Sequence, residues 1–147
     1  MVRPQLRNSQ FFDVNSLTTR WERDFARAMK RVGALVRREG QDTMPRIVRT
    51  VSRPGEPPHR HKTTKHSLRN IQFDYEPRNK GVVVGPVHFQ SGDTPHLIEF
   101  GGVKVRRRAG GRSRRMRYRK RPFMAPSLEK VRKENGIPRQ FRNVITE

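Results

Sequence analysis

Between residues 19 and 38, apolar side chains fall at Trp21, Phe25, Ala28, Met29, Val32, Leu35 and Val36. That 3-and-4 spacing gathers them on one face and predicts an amphipathic helix. Thr19 and Glu22 fit a capping box, in which each side chain satisfies the other's free backbone N–H. Arg37 and Arg38 suit the negative end of the helix dipole, and Gly40 is the expected stop.

The pattern then breaks. Pro45 interrupts any helix continuing from Gln41. Ile47, Val48 and Val51 fit either a short helical turn or a strand. The run Ser52-Arg53-Pro54-Gly55-Glu56-Pro57-Pro58 demands an ordered turn or an extended loop. Residues 59–66 are polar and expected to be exposed.

Strict alternation appears next. Ile71, Phe73 and Tyr75 interleave with Gln72, Asp74 and Glu76, the period of a half-buried strand. Residues 77–81 supply a turn, and Val82, Val83 and Val84 return, closed by Gly85-Pro86. This predicts a β-hairpin within residues 68–87. Residues 88–95 read as a polar loop, followed by the short apolar segment His96-Leu97-Ile98-Glu99-Phe100 and Gly101-Gly102. Val103 and Val105 lie before Ala109-Gly110-Gly111, and Met116 and Tyr118 after it, which predicts a second hairpin at 103–121. Pro126 suits the first turn of a helix whose inward side would be Leu128 and Val131. Asn135-Gly136 and Pro138 end that helix. Phe141, Val144 and Ile145 predict a last short helix or a docking tail.

Together these elements predict an α+β fold. A long N-terminal helix packs on a small twisted antiparallel sheet, with extended arms and a C-terminal helix. Residues 1–16 form an N-terminal arm, 17–135 a single domain, and 136–147 a tail or short helix. Phe11 and Phe12, adjacent on the polar arm, either dock on a neighbouring subunit or fold back on their own domain.

Composition sharpens this picture. Only 31% of the 147 residues are hydrophobic, so the core is small and the chain is expected to complete its burial on partner subunits. There is no cysteine, which excludes disulfides and thiolate metal sites. The N-terminal residues contain no apolar run of the signal-peptide kind, and no stretch has the apolar length needed to span a bilayer.

The net charge is +21, from 34 Lys and Arg against 13 Asp and Glu. Such a chain wants an anionic partner. Residues 103–121 contain eleven Lys or Arg and no acid, just over half of that net charge. Lys104, Arg106, Arg107, Arg108, Arg112, Arg114, Arg115, Arg117 and Arg119 are the candidate contacts to DNA or to an acidic partner. As a nucleic-acid arm the run would bind strongly at low salt and release steeply as salt rises. Tyr118 and Phe123 can add stacking, but aromatics are too few for a single-strand platform. As an inter-subunit arm it would pair with acidic protein surfaces. No helix-turn-helix, zinc-finger or RNA-binding-sheet signature accompanies it.

Catalytic and metal chemistry finds little support. His59, His61 and His66 can be read as zinc ligands, but only Glu56 lies near to complete a set, and solvated loop histidines are the simpler reading. Ser91, Gly92 and Asp93, with His88 or His96, hold the letters of a hydrolase without the G-x-S-x-G turn that presents a nucleophile. Residues 81–85 lack the Lys-Ser/Thr ending of a phosphate loop. Thirteen acids scattered through basic sequence offer no paired carboxylates. A protein without catalysis or cofactor is expected.

Five punctuated segments recur in one order: Arg53-Pro54-Gly55-Glu56-Pro57-Pro58; Ser67-Leu68-Arg69-Asn70-Ile71; Val82-Val83-Val84-Gly85-Pro86; Leu97-Ile98-Glu99-Phe100-Gly101-Gly102; and Arg121-Pro122-Phe123-Met124-Ala125-Pro126-Ser127-Leu128. In this series, from about Trp21 to Val131, the chain resembles the small neck, minor-tail and tail-completion proteins of long-tailed bacteriophages and prophages. The Arg-Pro-Phe-Met-x-Pro ending is its most specific part. Lys65-His66 stands where that family often has Thr-Gly, and the basic hairpin is longer and more charged than usual.

The resemblance implies a compact α+β virion subunit without catalysis, assembled in the host cytoplasm. Rings of such subunits sit between the portal side of the head and the tail tube, with DNA passing through the lumen. Sixfold symmetry is expected, with twelvefold as the alternative. Neighbouring head-completion, portal-side and tail proteins would be the partners, with no membrane. Pro54, Gly55, Glu56, Pro57 and Pro58, with Phe11 and Phe12, are the expected subunit contacts. Phe123 and Met124 would anchor the C-terminal helix on the sheet. The reading from a different class is a free nucleic-acid-binding protein using residues 103–121.

Overall fold

The computed structural model describes residues 14–44, 50–59, 68–87, 94–107 and 113–145. Its spine is α1, Val14–Thr43, 30 residues and about 45 Å long at the usual helical rise. The predicted apolar face is the buried one. Ala28, Val32 and Val36 line it at four-residue spacing, continued by Gly40, with Gly33 alongside.

Three sequence expectations at the ends of α1 are corrected. The helix starts at Val14, so residues 14–16 belong to it and not to an arm. Thr19 is no cap: it lies inside the helix, and its hydroxyl donates to the carbonyl of Asn15 at 2.9 Å. Gly40 does not stop the helix; it lies inside it, on the packed face. A Cβ there would come within 2.9 Å of the Ile71 Cδ1. The helix runs on to Thr43, two residues before Pro45, whose ring disfavours helical geometry in the residue ahead of it.

The first hairpin forms as expected from β1, Ile71–Glu76, and β2, Gly81–Pro86. Its antiparallel register pairs Phe73 with Val84 and Tyr75 with Val82. These residues face α1. The approach is close because Gly33 has no side chain; a Cβ there would lie 2.7 Å from both Phe73 and Val82.

A short helix α2, Thr94–Phe100, takes up the apolar segment and the end of the stretch read as a loop. The basic segment forms β3, Gly102–Arg107, and β4, Ser113–Tyr118. The two hairpins are separate two-stranded sheets, so the antiparallel structure is divided and only the first hairpin lies on α1.

α3, Met124–Lys133, packs along α1 and leads into two short helices, α4, Gly136–Gln140, and α5, Arg142–Ile145. Asn135 takes the left-handed conformation (φ +54°) that lets the chain turn between α3 and α4. Pro126 falls in the first turn of α3, as its sequence implied. Leu128, expected inward, is instead 46% exposed, and Ser127 is buried in its place. The Ser127 hydroxyl donates to the carbonyl of Phe123 and lies 3.0 Å from the Thr43 hydroxyl, so the polar group is satisfied where it crosses α1.

Two clusters hold the fold together. One joins Val32 and Val36 of α1 to Val131 of α3, with Phe141 packed beside them. The other joins Met44, Ile71 and Phe123, with Met124 and Val84 bridging to the first. Phe123 and Met124 thus anchor the C-terminal helix as expected. Each fully buried side chain of this kind contributes about 1.5–3 kcal/mol. A polar contact adds to the α1–α3 seam: the Lys130 ammonium donates to Glu39 at 2.6 Å. That hydrogen bond, and the Glu39 charge behind it, hold Lys130 above the ordinary lysine range.

Candidate functional site

The basic hairpin is built on a reversal of the chain. Gly101 (φ +76°) and Gly102 (φ +149°) occupy backbone conformations that side chains disfavour, and they turn α2 directly into β3. The two roots of the hairpin are fastened to the core. Ahead of β3, the buried Glu99 carboxylate accepts the backbone N–H groups of Phe123 (2.9 Å), Met124 (3.2 Å) and Ala125 (2.9 Å). These are the free donors at the start of α3, and no side chain of Phe123 caps them. After β4, the Arg121 N–H donates to the carbonyl of Ile98 at 2.7 Å, and its guanidinium to that of Ser52 at 3.0 Å.

Above these roots one face of the hairpin is exposed, while Lys104, Met116 and Tyr118 on the other are half-buried beside α2. Its register sets Lys104 opposite Met116, Arg106 opposite Arg114, Val103 opposite Arg117 and Val105 opposite Arg115. One face therefore carries Lys104, Arg106, Arg114, Met116 and Tyr118. The other carries Val103, Val105, Arg115 and Arg117. Val103 and Val105 are 47% and 57% exposed. Facing like charges such as Arg106 and Arg114 destabilise the pair, and an isolated two-stranded hairpin is marginal in water. Arg119 is exposed just beyond β4. Arg107 closes β3 opposite Ser113. Arg108 and Arg112 lie outside the described residues.

The Pro-Gly-Glu-Pro-Pro turn stands beside the hairpin's base. Glu56 N–H donates to the carbonyl of Arg53 at 3.1 Å, and the Glu56 carboxylate accepts the Arg53 N–H at 3.0 Å. Gly55 (φ +91°) sends its N–H to the carbonyl of Lys120 at 2.9 Å. Pro58 is buried within the subunit and Pro57 half-buried, leaving Pro54, Gly55 and Glu56 at the surface. Between this turn and the hairpin lies an open groove of about 600 Å³, lined by Pro54, Phe100, Val103, Tyr118 and Pro122. Phe100 is 63% exposed there.

The other candidates do not converge. The His59 ring lies 2.6 Å from the carbonyl of Thr50, while His61 and His66 lie outside the described residues. Among the described residues no three His, Cys, Asp or Glu side chains are placed to hold a metal ion. His96 packs its ring on Phe100, with centroids 4.8 Å apart. Ser91, Asp93 and His88 lie outside the described residues, as do Phe11 and Phe12. Among the described residues no helix is long and apolar enough to cross a membrane.

Sequence reasoning missed two features. Glu99 was legible only as a lone acid in an apolar segment, which is the available signal of a buried carboxylate with a structural partner. The outer face of the first hairpin was legible as alternation but not as a surface: Gln72, Asp74 and Glu76 are exposed together on β1, with Val83 exposed beside them on β2. No family model, curated protein or solved structure matches the chain.

Proposed function

We propose that the chain is a structural virion subunit of the head–tail interface of a tailed bacteriophage, a neck or tail-completion protein. Identical copies form a ring, sixfold in the favoured arrangement and twelvefold in the alternative. The ring joins head to tail and lets DNA pass through its lumen. Head-completion, portal-side and tail proteins abut it, and catalysis has no part in the work.

The observation that carries this reading is the basic hairpin. It holds two exposed valines and facing arginines on a separate two-stranded sheet, and its valine face is exposed among the described residues. A hairpin of this composition gains its stability from something outside the subunit. The exposed stripe Val14, Leu17 and Trp21 on α1, which continues the buried face beyond the core, supports the same conclusion. Three of the five segments add to it, because they build the hairpin's footing: Glu99 on the start of α3, Arg121 on Ile98, and Gly55 on Lys120.

Electron microscopy of the purified chain, together with its mass by light scattering, tests the ring; a closed ring with a central hole is expected. Purified virions should contain the chain at the head–tail junction. Its absence from virions, or catalytic turnover by the chain, overturns the reading.

The second reading, a free nucleic-acid-binding protein, is favoured by one face of the same hairpin, where Lys104, Arg106 and Arg114 stand together. It expects a monomer or dimer that holds DNA with a steep salt dependence.

A further inference from the structure

The two hairpins carry surface patterns that fit each other. On the outer face of β1–β2, Asp74 and Glu76 form a column two residues apart, and Val83 stands across from Asp74. Among the described residues neither acid pairs with a cation. Asp74 accepts only the N–H of Tyr75, and Glu76 only the side-chain amide of Asn79. On the valine face of β3–β4, Arg115 and Arg117 form a column at the same two-residue spacing, with Val105 and Val103 across from them. Strand geometry sets both columns to the same pitch, about 6.6–6.8 Å. Laid face to face, the arginine column meets the acid column, and the valine column meets Val83.

Two glycines complete the fit. Gly81 and Gly85 flank Val83 on the same outer face, opposite Glu76 and Gln72. Neither adopts the left-handed conformation that would require a glycine. A Cβ on Gly85 would meet nothing within 4 Å. A glycine that neither backbone nor packing demands, in a strand where it weakens pairing, marks a place where another chain comes close.

We propose that the valine face of β3–β4 in one copy docks on the outer face of β1–β2 in the next. The occupant is a second copy of this chain. The contact joins two different surfaces, so each copy offers one donor and one acceptor face. A head-to-tail ring needs this arrangement. The inference rests on the ring reading and adds to it the surfaces through which neighbours touch. It also divides the labour of the basic hairpin. Valines gain nothing against phosphates, so this face takes protein, and the face with Arg106 and Arg114 is left for a further anionic partner.

The absence of native cysteine makes the contact directly testable. In the full chain carrying Gly85→Cys and Val103→Cys, mild oxidation is expected to give a ladder of disulfide-linked multimers on a non-reducing gel. Each single variant has no partner cysteine across the contact and should stay monomeric. Adding Asp74→Lys and Glu76→Lys should abolish the ladder, and adding Arg115→Glu and Arg117→Glu to that variant should restore it, which also shows that the reversed chains fold. Monomers alone, or a ladder indifferent to charge reversal, overturns the proposal. Rings visible by electron microscopy without a ladder overturn this contact and leave the ring; neither ring nor ladder removes both.

Discussion

The carboxylate of Glu99 accepts the backbone N–H of Phe123 at 2.9 Å, from 24 residues earlier in the chain. The two residues sit at opposite roots of the basic hairpin, Glu99 before β3 and Phe123 after β4. Phe123 is fully buried against Ile71 and Met44, so the acid fixes the hairpin's footing to the core as well as capping α3. The cap is charged and buried, and it serves three donors at once.

Removing that carboxylate strands the donors. Glu99→Ala is expected to destabilise the fold by about 1.5–3 kcal/mol, the range for hydrogen bonds to a charged group. Glu99→Gln keeps one oxygen and should fall between the variant and the parent. The urea midpoint of each, at unchanged slope, gives the comparison. Equal midpoints for parent and Glu99→Ala would mean that α3 is capped by solvent.

Two glycines of α1 should respond differently to alanine. At Gly33 the new Cβ lies 2.7 Å from the Phe73 ring and from Val82 Cγ2, both packed and stiff. Overpacking of this kind costs about 1–3 kcal/mol, more than the roughly 1 kcal/mol that alanine contributes in a helix. At Gly40 the neighbours are the ends of Ile71 and Met124, which can yield. Gly33→Ala should therefore lower the thermal midpoint, and Gly40→Ala should leave it near the parent's. The reverse order would place the tight contact where Gly40 meets Ile71 and Met124, not where Gly33 meets Phe73 and Val82.

These glycines show what periodicity conveys and what it leaves out. The face of α1 and both hairpins were legible, because period 3.6 and period 2 are properties of single segments. Gly40 was misread as a stop because a C-terminal glycine and a packing glycine look alike until a partner is in place. Leu128 was misread for a related reason. Apolarity alone favours it over Ser127, yet the crossing of α3 on α1 leaves room only for a small side chain that can hydrogen-bond. Of the candidate site, the charge run and the Pro-Gly turn were legible, whereas the two faces of the second hairpin depend on a register that only pairing reveals.

The Lys130–Glu39 contact predicts a pH dependence. The folded chain holds the Lys130 pKa above its ordinary value of 10.5, through the hydrogen bond to Glu39 first and its charge second. A raised pKa means that the pair's stabilisation is complete below the ordinary lysine value and is lost as pH rises through the higher, folded value. Lys130→Met should therefore be slightly less stable than the parent at neutral pH, in keeping with a surface pair. The two urea midpoints should converge in strongly alkaline buffer. A constant gap across that range would assign the effect to the lysine's hydrocarbon stem.

The proposal that the cationic face of the second hairpin meets DNA makes a separate prediction. Arg106 and Arg114 stand opposite each other on that face, both exposed, with Lys104 beside them. Each phosphate they neutralise releases condensed counterions, which contributes about 0.9 to the slope of log affinity against log salt. Arg106→Ala with Arg114→Ala should lower the magnitude of that slope by about 2 for a short duplex, measured by fluorescence anisotropy over a salt series. Val103→Ser with Val105→Ser changes no charge and lies on the other face, so it should leave the slope as it was. The comparison separates the two partners proposed for one hairpin. A slope that falls equally in both variants would mean that DNA lies across the whole hairpin and that its valines are not reserved for protein. A slope unchanged by loss of both arginines would mean that the cationic face, too, meets an acidic protein surface, leaving DNA to pass without touching it.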